Sequence, residues 1–104
     1  MKLLDIIPYF RMPGQIDTYL TSQGINNGEG DVSVYMKDRL ELDSELLFLT
    51  DDQTGGRREV LLDGDKYEEL LPVFMIQEMV DELKDHSSDD QMAERIIAYA
   101  INDA

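Results

Sequence analysis

Asp31-Val32-Ser33-Val34-Tyr35-Met36 is the stretch on which the fold turns, because apolar and polar side chains alternate there with β-branched residues among them. A period of two sends successive side chains to opposite faces of an extended chain, so the segment reads as a half-buried strand. Downstream, Leu46-Leu47-Phe48-Leu49-Thr50 is a continuous apolar run, the pattern of a central strand covered on both faces. Asp51-Asp52-Gln53-Thr54-Gly55-Gly56 follows as a turn, and Glu59-Val60-Leu61-Leu62 reads as a third strand. The polar link carrying Gly55-Gly56 predicts a hairpin between the second and third strands.

Outward from these strands the period becomes helical. Pro72 suits the first turn of a helix over 72–85, with Val73, Ile76, Met79, Val80 and Leu83 as its apolar stripe and Asp85-His86-Ser87-Ser88 as its end. Ser88-Asp89-Asp90-Gln91 is a capping-box pattern that opens a final helix through Tyr99 and Ile101, with Met92, Ile96, Tyr99 and Ala100 facing inward. Toward the N-terminus, Leu3, Ile6, Ile7 and Phe10 stand at helical spacing, and Pro8 limits how regular that helix can be. Pro13-Gly14 marks a turn, and Gln15 to Ser22 fits either a helical turn or an extended piece. Gly24 to Gly30, rich in Asn and Gly, reads as a loop. The simplest assembly is an α+β fold: a small antiparallel sheet of about three strands, one N-terminal helix and two C-terminal helices.

A chain of 104 residues has room for one domain, 1–104, with a modest core, and 42% hydrophobic residues are enough to fill it. Its charge is lopsided, with 23 Asp and Glu against 9 Lys and Arg, for a net charge of -14. That balance argues against direct nucleic-acid binding and against anionic membranes, both of which need a positive surface. It favours a basic protein partner, whose encounter the field accelerates. Acidity for solubility alone is the competing account. There are no cysteines, which fits a reducing compartment. Met1 to Pro8 lacks the basic start and continuous apolar stretch of a signal peptide, and no segment reaches membrane-spanning length, so a cytoplasmic location is expected.

Catalytic parts are few. His86 lies beside Ser87 and Ser88 at a helix end, where a cation is favoured without any chemistry, and a triad needs an orienting carboxylate as well. Asp63-Gly64-Asp65 with Glu68 and Glu69 lacks the longer ligand series of a calcium loop and reads as a solvated turn. Neither Gly28-Glu29-Gly30 nor Gly55-Gly56 leads from a strand into a helix with a Lys, as a phosphate-binding loop does. The expectation is a non-enzyme without cofactor or metal.

The helix over 72–85 carries the sharper signal. Glu78, Asp81, Glu82 and Asp85 fall at i, i+3, i+4 and i+7, which stacks them on one face opposite the apolar stripe, with only Lys84 near enough to offset them. Like charges so placed repel, so the face is either a solvated one or a surface for guanidinium and ammonium groups. Asp51, Asp52, Asp63 and Asp65 lie at strand ends and extend the negative surface if those ends point the same way. Asp89 and Asp90 fit the N-terminus of the last helix.

Leu70-Leu71-Pro72-Val73-Phe74-Met75-Ile76-Gln77-Glu78-Met79-Val80-Asp81-Glu82-Leu83 is similar to the apolar lead-in and I-Q-x-[IV]-V-[DE]-x-[LA] segment of a family of small bacterial domains. Ser88-Asp89-Asp90-Gln91 and the run from Ile96 to Ala104 resemble that family's last helix and its Y-x-x-N-D-A ending, with Ala98 where the pattern has a second aromatic. Leu46–Asp52 is more loosely similar to the family's central strand ending in acids. Such domains resemble the immunity proteins encoded beside polymorphic toxins, including those of contact-dependent growth inhibition. The resemblance implies a cytosolic antidote that binds a toxin domain, with no catalytic residues to carry over. Two other readings share the acidity: a phage or plasmid protein whose carboxylates imitate DNA phosphates, and a structural or regulatory subunit that binds through an apolar face. Oligomeric state is not legible.

Overall fold

The computed structural model describes residues 1–25 and 31–103. Its elements in chain order are α1 (Leu3–Arg11), α2 (Gln15–Ser22), β1 (Val32–Lys37), β2 (Leu46–Thr50), α3 (Asp51–Thr54), β3 (Glu59–Leu62), β4 (Asp65–Pro72), α4 (Val73–Leu83) and α5 (Asp89–Asp103). The fold is α+β. Among the described residues the sheet has four antiparallel strands in the order β2-β1-β4-β3, rather than about three. Of the loop expected at 24–30, residues 26–30 lie outside the described residues.

β1 is the central strand, and it is buried on both faces rather than one. Val32, Val34 and Met36 enter the main core under the helices, and Tyr35 enters a smaller cluster with Leu49 and Val60 on the other face. Leu46–Thr50, expected in the centre, is instead an edge strand. Its run is apolar throughout because Phe48 packs into the main core while Leu47 and Leu49 join the smaller one, so burial on two faces does not require two neighbouring strands. The exposed edge of β2 is blunted at both ends: the Leu46 N–H donates to the Met1 carbonyl (2.9 Å) and the Thr50 N–H to the Gln53 side chain (2.9 Å). The Met1 ammonium and Lys2 grip Glu45 just before this strand (2.7 and 2.9 Å), holding its carboxyl down to about 2.

The hairpin expected between the second and third strands does not form, because β2 and β3 occupy opposite edges. Gly55-Gly56 belongs to a crossing instead. The Tyr35 hydroxyl donates to the Arg57 carbonyl and the Glu69 N–H to the Arg58 carbonyl (2.7 Å), tying that crossing to β1 and β4. Burial pushes the Tyr35 hydroxyl up, with Glu69 and Asp51 adding to it against Thr54 and Arg57, so the phenol remains a donor. The segment expected to be a plain turn at 51–56 holds α3, a single turn capped reciprocally by Thr50 and Gln53. The true hairpin joins β3 to β4 through Asp63-Gly64, where φ is +52° and +86°, as a two-residue turn between twisted strands requires.

β4 begins with Asp65-Lys66-Tyr67-Glu68-Glu69, all half-buried, and only then becomes apolar. A register shift opposite Val34 and Tyr35 places Leu70 as an extra residue, and both Leu70 and Leu71 reach the main core. Gln15–Ser22 proves helical. α1 keeps Pro8 inside it, held by the buried Leu3, Ile6, Ile7 and Phe10. α4 ends at Leu83, two residues before the expected end, and Ser88 with Gln91 forms the capping box that opens α5 (3.0 and 3.2 Å).

The helical layer converges on Arg11. Its guanidinium donates to the Lys84 carbonyl (3.0 Å), the Ser87 carbonyl (2.7 Å) and the Asp89 carboxylate, joining the end of α1 to the end of α4 and the start of α5. Arg11→Met keeps the aliphatic stem and strips all three bonds. A loss of about 3 kcal/mol is expected in urea unfolding, against about 1 kcal/mol for the capping substitution Ser88→Ala.

Candidate protein-binding surface

α4 positions the acidic residues by its own amphipathicity. Val73, Ile76 and Val80 are buried against the rest of the fold, which turns Glu78, Asp81 and Glu82 to solvent. Asp81 is also oriented: the Gln77 amide donates both to the Phe10 carbonyl (2.9 Å) and to the Asp81 carboxylate (3.0 Å). One side chain thus caps the end of α1 and fixes a surface carboxylate on α4. Asp85, expected within the helix, lies just past its last residue, Leu83, in the 84–86 turn; Lys84 keeps right-handed helical angles and its carbonyl accepts from Arg11. Among the described residues, no Lys or Arg comes within 4.0 Å of Glu78, Asp81, Glu82 or Asp85.

The strand-end acids do not extend this face as one surface. Asp51 and Asp52 follow Thr50, which pairs with Val32 at one end of the sheet on the β2 edge. Asp63 and Asp65 sit at the β3–β4 turn, next to Lys37 at the other end and on the other side of the sheet. The two pairs therefore occupy diagonally opposite corners. Asp65 is partly neutralised by Lys37 (3.5 Å), while Asp51 and Asp52 open α3. Glu78, Asp81 and Glu82 are what remains as a contiguous acidic face.

Phe74 was missed in the sequence reading and belongs with them. It is 51% exposed, one turn before Glu78 and two before Asp81, at the N-terminal end of the same helical face. The signal was in the spacing, since Phe74 does not fall on the stripe of Val73, Ile76 and Val80. An exposed aromatic flanked by unpaired carboxylates suits a protein surface bearing arginines, which stack on rings and pair with carboxylates.

His86 and Ser87 line a shared pocket with Gln91, Glu94 and Arg95. Ser88 is engaged in its cap, and among the described residues no hydrogen bond joins the His86 ring to either serine. Nor, among those residues, do three His, Cys, Asp or Glu side chains cluster as metal ligands would. No described helix is long and apolar enough to cross a membrane.

No family model, curated protein or solved structure matches this chain.

Like charges at i,i+3 and i,i+4 leave this face short of its stability optimum. Glu82→Lys replaces a repulsive i,i+4 contact with Glu78 by an attractive one in the favoured orientation. It is expected to raise stability by about 0.5 kcal/mol at low salt, a gain that thermal unfolding in 1 M salt should erase.

Proposed function

We propose that this chain is an immunity protein, a cytosolic antidote that binds and neutralises a cognate nuclease-type toxin domain. The observation that carries the reading is the outer face of α4, where Phe74, Glu78, Asp81 and Glu82 stand exposed without a cation partner among the described residues. A nuclease domain must offer lysines and arginines to substrate phosphates, and carboxylates presented on a rigid helix are their natural competitors. The net charge of -14 supports the same reading, because its field speeds the encounter of oppositely charged proteins. The sequence likeness to immunity domains over α4 and α5 points the same way. Inhibition then needs no chemistry from this chain: occupying the phosphate-binding surface excludes the nucleic acid.

Co-expression with the toxin domain encoded beside it is the decisive experiment, and continued growth of cells that otherwise die is the expected result. Failure to protect sinks the proposal. In vitro, Glu78→Lys combined with Asp81→Lys is expected to slow association with that toxin about tenfold or more at low salt and to flatten the salt dependence of the rate. An unchanged rate would leave protection possible but remove α4 from the interface.

A further inference from the structure

A second surface lies away from α4. A groove of about 480 Å³ runs between α5 and the segment that joins β1 to β2, and no α4 residue lines it. Its inner wall is Leu42, half-buried, and Ile97, buried, with Ile101 standing 61% exposed beside them. Ile97 and Ile101 are one turn apart, so the core-packing face of α5, which includes Ile97 with Met92, Ile96 and Ala100, continues at its rim to the exposed Ile101. Glu41, Asp43 and Glu94 line the same groove and are exposed. Glu41 meets Arg39 at 3.5 Å in a pair exposed enough to contribute little, and among the described residues neither Asp43 nor Glu94 has an ion pair.

An apolar wall among carboxylates selects its occupant by charge. A second copy of this chain, itself at -14, is repelled, and so are nucleic acids and anionic lipids. We propose that the groove docks a short segment of a partner protein in which an apolar side chain is bracketed by lysines or arginines: the apolar group covers Ile97 and Ile101, and the flanking cations meet Asp43 and Glu94. The inference rests on the reading of this chain as a binder of basic proteins, and it adds an anchoring contact that the α4 face lacks on this side. Charge draws the segment in, and the buried apolar side chain then slows its departure.

Two amidated pentapeptides, arginine-lysine-leucine-lysine-arginine and its serine-centred analogue, test this by amide chemical-shift titration of the 15N-labelled chain. The leucine peptide is expected to shift amides at 41–43 and 94–102 and to bind about tenfold more tightly than the serine peptide. Ile101→Ser, at an exposed position that leaves the core intact, is expected to abolish the leucine advantage while leaving the serine peptide unchanged. Equal affinities, or an absence of shifts at the groove, overturn the proposal. Shifts centred on 74–82 with equal affinities also overturn it, while leaving the α4 reading and the protection experiment standing. Protection from the toxin together with a silent groove separates failure here from failure of the immunity function.

Discussion

β1 has to satisfy two cores at once. Its residues are hydrogen-bonded to strands on both sides, while Val32, Val34 and Met36 face the helices and Tyr35 faces the smaller cluster. A slip of one residue in either ladder would move the valines out of the main core and drive the tyrosine into it, so the register is held by burial on both faces. The neighbouring elements take their places from that strand. β2 and β4 flank it, the 51–58 crossing is fastened to it through the Tyr35 hydroxyl, and the shifted register opposite Val34 and Tyr35 lets β4 send two consecutive leucines to the same side.

The helical layer then converts that platform into a presented surface. α4 leaves β4 directly, with Pro72 both ending the strand and preceding the helix, so its direction is set by the sheet. Its rotation is set by Val73, Ile76 and Val80, and its far end by Arg11. Gln77 adds a finer constraint, because the amide that satisfies the Phe10 carbonyl is the one that holds Asp81. A carboxylate restrained in this way loses less freedom on pairing with an arginine than a free surface carboxylate does. The structural bonds of α1 and the chemistry of the α4 face therefore meet in one side chain.

What the sequence disclosed follows how locally each feature is determined. The first three strands and the final helix with its Ser88–Gln91 cap were legible because alternation and capping act within a few residues. β4 was not, since Lys66, Glu68 and Glu69 have weak strand propensity and are held extended only by pairing with β1 and β3, which lie far away in sequence. Strand order was equally hidden. With it went the placement of Asp51 and Asp52 relative to Asp63 and Asp65, which share a charge but sit at opposite corners. Asp85 illustrates the opposite failure: the i+7 spacing was sound arithmetic, but the helix stops at Leu83, and the Lys84 and Ser87 carbonyls beyond it accept from Arg11, which comes from far away in sequence. Phe74 lies open to the same arithmetic as the acids, four residues before Glu78 and seven before Asp81.

The cations are unevenly shared among the acids. Lys37 and Lys66 pair with carboxylates on the sheet, Lys2 and Arg39 with carboxylates in the segment between β1 and β2, and Arg11 with Asp89 at the start of α5. None of these pairs involves an α4 carboxylate, and the cation next to α4 in sequence is the exposed Lys84 beyond its last turn. A surface acidic for solubility alone gains from interspersed charge on every face, α4 included. α4 carries an exposed phenylalanine and three exposed acids and, like α2 and α3, no Lys or Arg. Long-range steering depends on the total charge and is screened by salt over about 8 Å under physiological conditions. Anchoring depends on the few groups that become desolvated at contact. Under the proposed function, Phe74 on α4 and Ile101 on α5 would each join an apolar anchor to neighbouring carboxylates, whereas the exposed Leu61 and Met12 stand outside both surfaces.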